Sequence, residues 1–225
     1  MSGLRRIACI VGKDLRSELR TKEALTSTVF FALLVLLVFN FAFDPGTRDV
    51  TVVGAGILWI AFLFSSILAM NRLMLNERED GGIEGLMLCP VPRTSLYLAK
   101  CATLLLVLLA SETVTLALFV LFFDPPLGGG LVELALVVLL GTIGLVSLGT
   151  TFAAMAVRTR TREAMLPLLL IPIAVPLLIA VVEATSAVLS GEGLGQEQKW
   201  LQLLLAFDVL FLGIGYLTFP AILEE

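Results

Sequence analysis

The sequence predicts an all-α integral membrane protein. It should have six transmembrane helices, an amphipathic interfacial helix ahead of them, and a short cytoplasmic helix between spans two and three. Three observations predict this. Of 225 residues, 58% are hydrophobic and only 15% are charged, and the mean hydropathy is +1.01. A soluble domain of this length needs far more polar surface, even though much of any protein surface is apolar. The apolar residues also fall into six runs of about 20, the length a helix needs to cross a hydrocarbon core. Finally, the runs show no polar–apolar alternation, so they read as helices and not as barrel strands. A soluble globular enzyme is excluded.

The elements are arranged in order along a single membrane domain, residues 1–225. In residues 1–23, Leu4, Ile7, Ala8, Val11, Leu15 and Leu19 recur every three or four positions between charged or small side chains. That spacing predicts an amphipathic helix along the inner membrane surface. Two roles fit it equally, a plain anchor and a contact for a cytoplasmic partner. Span one, 24–43, is closed by Asp44-Pro45-Gly46, and span two, 50–70, stops at Asn71-Arg72. Span three, 95–123, is closed by Asp124-Pro125-Pro126, and span four, 131–157, by Arg158. Spans five and six cover 164–189 and 200–222. The first apolar run follows a charged segment and lacks an A-x-A exit, so it does not read as a cleaved signal peptide.

Basic residues set the orientation. Thirteen of the 15 lie in the N-terminal segment and in the second and fourth connections with the start of span three; only Arg48 and Lys199 lie opposite. Both termini are therefore expected in the cytoplasm. Cys9, Cys89 and Cys101 then lie on or near the reducing side, where no disulfide is expected.

Several chemistries are absent. The net charge is −4 and the pI about 5.0, so no bulk positive field points to nucleic acid. Histidine is missing, which removes the commonest metal ligand and general base. No CxxC or other metal-ligand spacing occurs. Gly12-Lys13 lacks the rest of a phosphate-binding GxxxxGK[ST], so the chain is not expected to be an ATPase by that route, nor an enzyme of its own.

The second connection, Asn71 to Arg93, is longer than neighbouring helices require. Asp80 is a candidate N-cap, and Glu84 comes next where a helix start favours negative charge. Ile83, Leu86 and Met87 share one face, and Pro90-Val91-Pro92 ends the short helix. A short apolar face outside the bilayer seeks either a groove in another protein or the membrane surface. Span five carries Pro167, Pro172 and Pro176, which predicts a broken helix. Span four carries Gly141, Gly144, Ser147, Gly149 and Ala153, small residues that suit a tight helix–helix seam. Glu112 in span three and Asp208 in span six lie deep in the bilayer. Each must face the bundle or water, and a proton on the carboxyl relieves the cost. They read either as parts of a cavity or relay, or as groups bonded to Thr or Ser. The outer connections are acidic, with Asp44, Asp49, Asp124, Glu133, Glu192 and Glu197.

Six spans, a leading amphipathic helix and a helix-bearing second connection resemble the membrane half of type-2 ABC exporters. More specific are Asn71-Arg72-Leu73, Glu77-Arg78-Glu79-Asp80-Gly81, Glu84, Leu86, Pro90, Pro92 and Ala99-Lys100. Together they resemble the signature of the haem exporter B subunit family, CcmB. The run from Pro167 to Pro172 is similar to that family's fifth span. Cys89 departs from the serine expected there.

The resemblance implies a place in cytochrome c maturation, as a permease subunit paired with an ATP-binding subunit, CcmA, alongside CcmC and CcmD. ATP hydrolysis on the partner would drive haem export, or release of the haem-loaded chaperone CcmE. By analogy, residues 80–88 form a coupling helix docked in the ATPase groove. Glu77, Arg78, Glu79, Asp80 and Glu84 would be its polar contacts, with Gly81, Ile83, Leu86 and Met87 completing the docking surface. No cofactor is expected on this chain; ATP and haem would sit on partners, and no His is available to ligate haem iron. Three other readings share parts of the pattern. A type-2 permease for a drug or lipid-linked glycan differs only in the loop signature. A secondary transporter predicts paired discontinuous helices, whereas only span five is proline-rich. A non-transporting scaffold of the maturation complex fits every span.

Overall fold

The computed structural model describes residues 3–42, 50–79, 92–125, 130–156, 162–195 and 198–224. Among them run seven helices and no strand: α1 (Gly3–Thr21), α2 (Glu23–Ala42), α3 (Val50–Glu79), α4 (Arg93–Phe123), α5 (Leu131–Ala156), α6 (Arg162–Leu189) and α7 (Gln198–Glu224). Six of these, α2 to α7, are long and apolar enough to cross a membrane. Each coincides with one of the six expected spans.

α5 packs against α3, α4, α6 and α7, and α4 against α1, α2, α3, α5 and α7, with α2 lying against α3 and α4. The close packing of α5 comes from its small residues. A Cβ at Gly141 would run into the Trp59 ring and come within 2.8 Å of Val181; one at Gly149 would run into Met70. One at Gly144 would sit 2.7 Å from Leu177. Glycine is what lets α3, α6 and α7 approach this closely, so the expected seam is present. Trp59 is fixed by its indole N–H, which donates to Thr185 Oγ1 at 2.8 Å.

Polar contacts fasten the helix ends. Asn40 Nδ2 donates to Phe122 O at 2.8 Å, joining α2 to α4. Leu194 N donates to Glu133 Oε2 at 2.9 Å, so one of the outer acids holds the turn between α6 and α7. α4 ends as the Asp-Pro sequence predicts. Asp124 takes a left-handed conformation, φ 41°, and its N–H donates to Val120 O, the αL type of helix stop.

Two expectations need adjustment. The apolar span two ends near Asn71-Arg72 as expected, but the helix that carries it, α3, continues to Glu79. No Pro or Gly interrupts residues 71–79, and the residues there are mostly good helix formers, so the helix leaves the apolar zone without ending. Glu77, Arg78 and Glu79 thus belong to the end of α3. Span five is not broken either, since α6 runs through Pro167, Pro172 and Pro176. Pro172 and Pro176 lie on the exposed side. The opposite stripe, Leu166, Leu170, Ala174, Leu177 and Val181, is buried. Packing along that stripe holds the helix while Pro172 and Pro176 face outward and Pro167 is half-buried.

Candidate functional site

The segment expected to couple to an ATPase, with Asp80, Gly81, Ile83, Glu84, Leu86, Met87 and Cys89, lies outside the described residues. The elements that bracket it are described: α3 leads in, and α4 starts two residues after Val91. The first turns of α4 are pinned at every step. Arg93 Nη1 donates to Pro220 O near the end of α7 at 3.2 Å, where the helix carbonyl end favours a cation. Tyr97 O–H donates to Ser147 O of α5 at 3.4 Å. Its ring lies 5.2 Å from that of Phe219, and its hydroxyl fills the space left by Gly215 of α7. Lys100 Nζ donates to Asp14 Oδ2 of α1 at 2.6 Å. Residues 93, 97 and 100 share one helix face. A single stripe of α4 is therefore joined to α7, α5 and α1 in succession.

α1 completes this end. Asp14 and Glu18 are 7% and 2% exposed, so both acids of the helix turn toward the bundle. Asp14 also meets Lys13 Nζ at 3.0 Å. Glu18 Oε1 accepts from Leu25 N at 2.9 Å, satisfying one of the donors left open at the start of α2. Lys22 makes the corner in a left-handed conformation, φ 56°. In the sequence Asp14 and Glu18 read as ordinary surface charges, and Lys100 as an orientation signal and a part of the family signature, without a partner named for it. Only the register hints at their pairing: Ile10, Asp14 and Glu18 recur every fourth residue, a stripe distinct from the leucines.

Deeper in the bundle the two carboxyls part company. Thr142 Oγ1 donates to Glu112 Oε2 at 2.6 Å and lies 2.7 Å from Val138 O. Glu112 thus has the threonine bond that one of its two readings requires. Asp208 is 5% exposed, and among the described residues neither of its oxygens has a hydrogen-bond partner. It occupies the room left by Gly144, where a Cβ would lie 2.9 Å from Oδ1. Glu112 and Asp208 approach α5 from different neighbours, α4 and α7. Among the described residues no group of three His, Cys, Asp or Glu could hold a metal. Cys9 is exposed and Cys101 buried, both as free thiols.

This geometry has no catalytic constellation among the described residues. What it can do is pass a displacement at the start of α4 to three other helices. Comparison with known proteins agrees in extent. The family model "CcmB protein" matches residues 5–225. The chain is 31% identical over 193 residues to "Heme exporter protein B" of Bradyrhizobium diazoefficiens, covering 82% of this chain and 83% of that one. The protein of the same name from Pseudomonas aeruginosa is 32% identical over 187 residues, 83% of each. That from Haemophilus influenzae is 30% identical over 187 residues, covering 82% and 81%.

Proposed function

The chain belongs to the CcmB family, and we propose on that premise that it is the transmembrane subunit of an ABC transporter for cytochrome c biogenesis. The match over residues 5–225 carries the reading, because it takes in the connection after α3 together with every span. The relatives are named as haem exporters. Haem, or a chaperone loaded with it, is accordingly the cargo we assign. A separate CcmA-like subunit would bind and hydrolyse ATP, with CcmC-like and CcmD-like membrane subunits and a CcmE-like chaperone as the other partners. The chain lies in the inner membrane with both termini cytoplasmic, as the basic residues place it.

The mechanism rests on the pinned stripe. Residues 80–88 dock on the ATPase, with Asp80 and Glu84 as polar contacts and Ile83, Leu86 and Met87 as the apolar face. Closure of the ATPase moves this segment, and Arg93 is the first residue of the next helix. Because Arg93, Tyr97 and Lys100 join α4 to α7, α5 and α1, α4 does not move alone. The displacement spreads through α5, whose glycines allow close contact on three sides. The spans then rearrange toward the outer face. No step requires a cofactor on this chain.

A bacterium deprived of its own protein B provides the test. Expression of this chain beside its cognate partners is expected to restore c-type cytochromes. Normal membrane insertion and recovery of an ATPase subunit without any c-type cytochrome would refute the cargo and leave only the architecture.

A further inference from the structure

α1 has three faces, and only one of them serves the bundle. Ile10, Asp14 and Glu18 are buried there. The next face is apolar and exposed: Leu4 is 79% and Leu19 61% exposed, with Ala8 exposed between them. The third face carries Arg5, Arg16 and Arg20, all exposed, within about 60° of each other on a helix of 3.6 residues per turn. Both acids of the helix are engaged in inward contacts, Asp14 with Lys100 and Glu18 with Leu25 N. The exposed face therefore keeps the arginines and loses their counter-charges.

An apolar strip beside a basic strip fits one environment. The leucines reach the acyl boundary while the guanidinium groups stand at headgroup level. The neighbouring helix agrees with this placement. Past the Lys22 corner, α2 presents Phe30, Leu34, Val38 and Phe41 outward, a stripe suited to lipid tails. A protein groove also takes up an amphipathic helix, but the outward apolar stripe of α2 at the same corner puts this face of α1 beside lipid.

We propose that the outward face of α1 binds the headgroups of anionic phospholipids, through Arg5, Arg16 and Arg20. The interaction gathers acidic lipid around the corner between α1 and α2, next to the Asp14–Lys100 contact. This binding does not depend on the cargo.

The test uses the full-length chain reconstituted in nanodiscs of mixed phosphatidylglycerol and phosphatidylcholine. Spin-labelled versions of each lipid report which is immobilised at the protein. The wild type is expected to hold phosphatidylglycerol preferentially. Arg5→Gln/Arg16→Gln/Arg20→Gln should reduce that preference severalfold, since each basic side chain near an anionic surface contributes up to about fivefold. The triple lysine variant should retain it, which separates charge from fold. Equal retention of both lipids by the wild type would overturn the proposal. So would an unchanged preference in the glutamine variant; loss of the ATPase subunit when that variant is co-expressed with its partners and purified would make the face a protein contact instead.

Discussion

Lys100→Met is expected to weaken the folded chain by about 3–5 kcal/mol, the usual cost of leaving one member of a buried ion pair without its partner. Lys100 and Asp14 are each 7% exposed, and their 2.6 Å contact is the polar tie between α1 and α4. Lys13, 3.0 Å from the other Asp14 oxygen, offsets part of the loss, so the lower end of the range is expected. Pairing Lys100→Met with Asp14→Asn should recover most of it, because no charge is then stranded. Thermal unfolding in detergent measures all three proteins. In the single variant, proteolysis at the corner around Lys22 should also rise before global unfolding, since α1 has lost its hold on α4.

The second large effect is steric. Gly141→Leu puts a side chain where the Trp59 ring already lies, with Val181 behind it. The ring has little freedom to retreat, because its N–H is bonded to Thr185 on α6. Overpacking at so tight a contact should cost about 3 kcal/mol or more. Gly56→Ala supplies the contrast. Nothing stands within 4 Å of a Cβ at Gly56, so alanine there should be neutral or gain up to about 1 kcal/mol of helix propensity. Opposite signs for two helix glycines in one unfolding series would locate the seam on α5. Equal effects would contradict it.

Much of this architecture is legible in the residues, for physical reasons that can be named. Hydropathy locates spans because lipid leaves the backbone few alternatives, and Asp124-Pro125 or Asn71-Arg72 mark where the apolar zone ends. The small residues of span four announce the seam through their spacing. What the pattern conceals are features decided by a neighbour. Asp14 and Glu18 look like ordinary charges, and the partner of Lys100 stays hidden, until α1 is laid against α4. The apolar run ends at residue 70, but helix propensity carries α3 on to Glu79. Three prolines suggest a break in α6, yet Pro172 and Pro176 face outward while the opposite stripe packs. Of the two deep acids, Glu112 meets a threonine and Asp208 fills the gap at Gly144. Composition alone does not tell them apart.

In the function proposed for this chain, the connection after α3 engages a separate ATPase, and this engagement drives cytochrome c maturation. Asp80→Lys/Glu84→Lys tests it most directly, in a cell lacking its own protein B. Three quantities are measured: ATPase subunit recovered with the chain, ATP hydrolysis by the purified complex, and c-type cytochrome yield. Normal membrane insertion with loss of all three is the expected result. A variant that keeps its ATPase subunit and makes wild-type amounts of c-type cytochromes would contradict it.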